Sequence, residues 1–99
     1  MSEKDSLVAR TLRIINVLKG KTLSGLSNTE IANATKIPAP TVSRILAAMV
    51  DEGFAVHLDN GRYALGIRML QIAQSHTEEM DKGKIRIAEL EQRVYAGSR

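Results

Sequence analysis

The 99 residues contain no cysteine, which excludes a disulfide framework, a thiolate metal site and a thiol nucleophile. Aromatic residues are scarce too: two Tyr, one Phe and no Trp. With a hydrophobic share of 43%, the core of this chain has to be aliphatic, built from Leu, Ile, Val and Met. No apolar run is long enough to span a bilayer, and the charged start MSEKDS lacks the apolar centre of a signal peptide. No membrane partner is expected. There is no nucleophile–base pairing, no Gly-rich phosphate loop and no set of paired carboxylates, so an enzyme reading has nothing to rest on. His76 and Glu79 lie three apart, a spacing found in metal sites, but no second ligand set accompanies them. No metal, cofactor or small-molecule effector is expected.

A large excess of charge is also missing. The formal net charge is only +3, but its placement is uneven. Residues 1–70 carry nine basic side chains (Lys4, Arg10, Arg13, Lys19, Lys21, Lys36, Arg44, Arg62, Arg68) against six acidic ones, whereas residues 71–99 carry five of each. All the positive excess travels with the first part of the chain, as contact with phosphates requires.

What the chain does have is concentrated between Asn28 and Ala47, NTEIANATKIPAPTVSRILA. Ser27 and Glu30 form a capping-box pair that starts a short helix. Thr35-Lys36-Ile37 supplies a turn, with Ile37 as its buried plug. A second helix over residues 38–51 starts at Pro38 or Pro40, where a missing N–H costs nothing. Along it Val42, Ile45, Leu46, Met49 and Val50 form one apolar stripe. Pro40, Thr41, Ser43, Arg44, Ala47 and Ala48 take the other side. Small residues around one long Arg suit a major groove better than a solvated surface. This spacing is a helix-turn-helix signature.

The flanking segments complete a domain. SLVARTLRIINVLK, residues 6–19, reads as a helix burying Leu7, Val8, Thr11, Leu12, Ile15 and Leu18, with Arg10, Arg13 and Asn16 outward and Gly20 as its stop. Residues 21–26 read as a polar connector. Phe54, Val56 and Leu58 alternate with Ala55 and His57, so the first three are expected to face the core of a strand. Asp59-Asn60-Gly61 is a hairpin turn, and Tyr63 and Leu65 return on the same buried face. From Gly66 to about Ala96 runs one long helical pattern whose first residues, Leu70 and Ala73, are expected to close the core. Met80, Ile87 and Val94 then recur every seven residues with Leu90 beside them, an apolar seam that calls for a partner. The expected fold class is mainly α with a small β-hairpin: a winged helix-turn-helix over residues 1–70, followed by a C-terminal linker or dimerisation helix over 71–99.

Three segments together resemble the N-terminal DNA-binding domain of the IclR family of bacterial transcription regulators. SLVARTLRIINVL is similar to that family's opening helix, IANATKIPAPTVSRILAAMVDEGF to its helix-turn-helix run, and GRYALGIRMLQIA to its wing and the start of its linker helix. The chain departs from the pattern at Lys36, where the turn usually has Gly, and at Pro40, where a small hydroxyl residue is usual. Family members continue into an effector-sensing domain. A chain ending after the linker helix is expected to be either a minimal stand-alone regulator of phage or bacterial type, or a fragment.

The resemblance and the residues together imply a regulator of transcription, repressor or activator, that binds double-stranded DNA in the bacterial cytoplasm or nucleoid. Its candidate DNA-facing residues are Ser27, Asn28, Lys36, Ala39, Pro40, Thr41, Ser43, Arg44 and Ala48 on the helix-turn-helix, and Asn60 and Arg62 on the wing. Met80, Ile87, Leu90 and Val94 are the candidate dimerisation residues of a homodimer. The alternative is a protein–protein adaptor that uses the winged helix and the long helix to bind another protein.

Overall fold

A computed structural model describes residues 5–97. The chain divides into two units, Met1–Met69 and Leu70–Arg99. Its elements run α1 (Leu7–Val17), α2 (Asn28–Thr35), α3 (Ala39–Asp51), β1 (Ala55–His57), β2 (Tyr63–Leu65) and α4 (Ile67–Gly97). That is a winged helix-turn-helix followed by a long helix, mainly helical with one antiparallel hairpin.

Each boundary has a local cause. Ser6 caps α1 by accepting the Ala9 N–H at 3.1 Å. Ser27 accepts the Glu30 N–H at 3.1 Å, and Glu30 Oε1 accepts the Ser27 N–H at 3.0 Å, so both halves of the capping box are made. Lys36 ends α2 in the left-handed region, at φ 61° and ψ 32°. It is the one non-glycine residue with positive φ among those described. Pro38 and Pro40 bracket the start of α3, which begins without a side-chain cap.

The core is aliphatic. Ile14, Leu18, Ile31, Val42 and Leu46 are fully buried, joined by Ile37, Ile45, Met49 and Ala55. Thr35 is buried among them and satisfies its hydroxyl by donating to the Ile31 carbonyl at 2.7 Å. Ile37 is the plug expected of it.

Several expected faces are corrected. In α1 Ile14 is the added core residue, with Val17 half-buried; Leu18, just past the helix, is buried and Ile15 half-buried as expected, while Leu7, Val8 and Leu12 are exposed. The helix has apolar residues on more than one side, and its contact with α2 selects the stripe nearer its C-terminal end. Val50 lies at the exposed edge of α3. In β1 the phase is shifted by one residue: Ala55 is buried and Val56 exposed. Phe54 does pack on the core, but it does so from the turn before the strand, where its N–H bonds the Met49 carbonyl at 2.8 Å. The strand then starts one residue later than the pattern implied. Tyr63 and Leu65 pack on the core as expected. Ala73 is exposed. No residue of α4 is buried.

The wing is more than a hairpin. Ala55 pairs with Leu65, Val56 with Ala64 and His57 with Tyr63, and the His57 and Tyr63 rings stack with centroids 4.3 Å apart. Leu26, placed by its sequence in a polar connector, adds a bridge on the outer edge: its N–H bonds the Tyr63 carbonyl at 2.8 Å and its carbonyl accepts the Tyr63 N–H at 2.7 Å. Gly25 makes this approach possible. Its φ is +69°, and a Cβ there would sit 2.9 Å from the Tyr63 carbonyl oxygen.

Candidate nucleic-acid interface

The helix-turn-helix presents its outer surface through α3. Val42, Ile45, Leu46 and Met49 anchor the helix in the core. The periodicity that buries them leaves Ala39, Pro40, Ser43, Arg44, Ala47 and Ala48 exposed, with Thr41 half-buried at the edge. Across the motif, Asn28 Nδ2 donates to Ser43 Oγ at 2.7 Å. That bond ties the start of α2 to the second turn of α3 and leaves the Ser43 hydroxyl proton available. The small side chains on either side of Arg44 let a surface as broad as a groove wall approach the helix closely.

The state of each cation matters more than the number of cations. Arg44 makes no hydrogen bond or ion pair within the described residues. Lys36 is exposed at the turn and also unpaired. Arg10 and Arg13, by contrast, converge on one carboxylate, with Arg10 at 2.6 Å from Asp5 Oδ2 and Arg13 at 2.7 Å from Asp5 Oδ1. The hydrogen bonds from Arg10 and then Arg13 lower the Asp5 pKa to about 2, since both stabilise the ionised form. At neutral pH these two arginines offer a combined charge of +1 rather than +2.

Arg62 is held as well. Its guanidinium meets Glu30 Oε1 at 2.5 Å, and its Nε donates to the Gly25 carbonyl at 3.3 Å. Glu30 also caps α2, and its pKa is lowered first by the Ser27 backbone N–H and hydroxyl, then by Arg62. The wing base is thereby tied to the start of the helix-turn-helix. Asn60 stands exposed at the wing tip, its Oδ1 accepting the Arg62 N–H at 2.9 Å. Ser27, Asn28, Lys36 and the α3 residues thus share the helix-turn-helix, while Asn60 and Arg62 lie on the wing.

Residues 7–59 match the IclR helix-turn-helix domain. The chain belongs to that family. Membership makes the α2–α3 unit of this IclR-type domain a DNA-binding head of the transcription-regulator kind. The HTH-type transcriptional regulator KipR of Bacillus subtilis (strain 168) is 26% identical over 85 residues, which cover 86% of this chain and 33% of KipR. The chain therefore spans about a third of the length of that curated relative.

Asp5 and Glu30 were not foreseen as partners of Arg10, Arg13 and Arg62. Glu30 had a signal in its capping box, but Arg62 lies 32 residues away. Asp5 stands five and eight residues before its partners, ahead of α1 and not at the three- or four-residue spacing of helical side-chain pairs. Beside Arg44 opens an apolar groove of about 620 Å³, lined among others by Leu7, Thr11, Ile15, Met49 and Phe54. No described helix is long and apolar enough to cross a membrane.

Proposed function

We propose that this IclR-type chain is a sequence-specific, DNA-binding transcription regulator. The helix α3 reads the major groove, and the wing touches backbone or minor groove. A reading head over residues 1–70 is followed by a dimerisation helix over 71–99, and the protein works as a homodimer in the bacterial cytoplasm or nucleoid. It is a binding protein, not an enzyme. The observation that carries this reading is Arg44, a cation without an internal partner, set among small exposed residues on the helix that the core holds rigidly. A bidentate guanine contact by such an Arg has the geometry of direct readout.

Pairing follows from strength. One head with a few phosphate contacts discriminates poorly among genomic sites, whereas two heads on a two-fold site multiply their specificity. Met80, Ile87, Leu90 and Val94 are all exposed in the single chain, and burying each stabilises by about 1.5–3 kcal/mol.

The test is selection of random duplexes with purified protein, followed by Arg44→Ala on the selected site. The variant should fold normally and lose about 1–3 kcal/mol of binding. Equal affinity with an unchanged circular dichroism spectrum removes Arg44 from the reading surface. The exposed Leu7, Val8 and Leu12 and the groove beside them favour one second reading, a protein adaptor. An adaptor would pass through heparin unretained and would not shift random duplex at low salt.

A further inference from the structure

The charges that flank the seam of α4 fix more than the existence of a pair. This step rests on the homodimer reading above and specifies its geometry. In the seven-residue frame of Met80, Ile87 and Val94, the second seam position is taken by Gly83 and Leu90. One flank then carries Glu79 and Arg86, and the other carries Lys84 and Glu91. None of these four makes an ion pair within the described residues. Residues 71–99 hold five charges of each sign, so two copies meet without net repulsion.

When two such helices run parallel and in register, each first-flank residue lies beside the partner's second-flank residue five positions on. Glu79 then meets the partner's Lys84, and Arg86 meets the partner's Glu91. Symmetry repeats both pairs, and every contact is attractive. The antiparallel arrangement that overlaps the same stripe sets Met80 opposite the partner's Leu90. Its two-fold axis falls at residue 85, so Lys84 faces the partner's Lys84 and Arg86 faces the partner's Arg86. Only Glu79 against the partner's Arg93 is favourable there.

We infer that α4 docks on α4 of a second copy in a parallel, in-register coiled coil over residues 80–94. Each reading head is joined to the N-terminal end of its own α4, so a parallel pair holds both heads at one end. A two-fold DNA site needs them there.

The chain's lack of cysteine makes the test direct. A disulfide forms only where Cα atoms approach within about 4.4–6.8 Å, and ten residues of helix span about 15 Å. Full-length Met80→Cys and Leu90→Cys proteins are oxidised separately, then as a mixture in which one carries a size tag. Gln92→Cys, on the outer face of the coil, serves as the collision control. The parallel pair is expected to link Met80→Cys to itself and Leu90→Cys to itself nearly completely. The Gln92→Cys protein stays unlinked, and the mixture gives no band joining the two different variants. A dominant mixed band means antiparallel helices and overturns the inference while leaving the homodimer intact. Failure of both self-links in a protein that sediments as a dimer also overturns it. A wild-type monomer at tens of micromolar, where weak pairs still associate, removes the homodimer reading itself.

Discussion

Replacing Lys36 with Gly should make the protein more stable. Lys36 holds φ 61° and ψ 32° at the end of α2, a conformation that costs an L-residue about 1–2 kcal/mol. Glycine removes that cost but gives the unfolded chain extra freedom worth about 0.5–1 kcal/mol. The difference of the two ranges runs from about 0 to 1.5 kcal/mol, centred on a gain of about 0.5–1 kcal/mol. For a domain of this size that raises Tm by roughly 2–8 °C. The urea midpoint should rise with an unchanged slope, since the surface exposed on unfolding is the same. Protein concentration must be held fixed, because association shifts apparent stability. Lys36→Ala is the deciding control. It removes the same exposed charge but keeps the left-handed backbone, and should therefore stay close to wild type. A gain in Lys36→Ala equal to that in Lys36→Gly refutes the backbone argument and assigns the effect to charge. Both variants should bind DNA with a salt dependence shallower by about one unit of slope if Lys36 touches a phosphate.

Gly25→Ala should destabilise by about 2–3 kcal/mol, since it adds the left-handed cost to a contact of 2.9 Å with the Tyr63 carbonyl oxygen; a urea midpoint unchanged from wild type would contradict the tight approach. Asp5, with its pKa lowered to about 2 from an unfolded value of about 3.9, adds stability that is fully present above pH 4 and lost as pH falls towards 2. At low salt the gap between the urea midpoints of wild type and Asp5→Asn should be widest at pH 5, narrow as pH falls to 2 and close only below it, and a gap that does not change with pH argues against the clamp. With Arg10, Arg13 and Arg62 already paired and Arg44 directed at a base, log affinity against log salt should fall with a slope near −2 per head, from Lys36 and Arg68 at about 0.9 each. A flat profile would favour the adaptor.

The parts of this fold that could be read from its sequence are those fixed by short-range chemistry. Ser27 and Glu30 announce the start of α2, two prolines announce α3, and Asn60-Gly61 announces the hairpin turn, each within four residues. Helical spacing then picked out Val42, Ile45, Leu46 and Met49 correctly. The faces of α1 and β1 were misread because their choice depends on neighbours distant in the chain. LVARTLRIINVLK can bury Leu18 together with either Leu7 and Leu12 or Ile14, and only packing against α2 decides. Phe54 drew the strand into the wrong phase because its size marks burial without marking which element achieves it. The candidate interface was legible in the outward face of α3. The holding of Arg10, Arg13 and Arg62 was not, since neither partner carboxylate stands at the three- or four-residue spacing that pairs side chains on a helix.

The bridge between Leu26 and Tyr63 has a consequence for the order of folding. It joins residues 37 apart, and the chain it closes contains α2, α3, β1 and the hairpin turn. Closing so long a loop costs entropy that only contacts made inside it can offset. The local helices should therefore form first and the clasp last, a separation in time that follows from contact distance along the chain. Once shut, it runs in the other direction: the outer edge of the wing cannot open without releasing the loop that holds the reading helix. Amide exchange in Leu26, in the Tyr63 strand and at the start of α2 should then proceed as one cooperative event rather than as independent fraying.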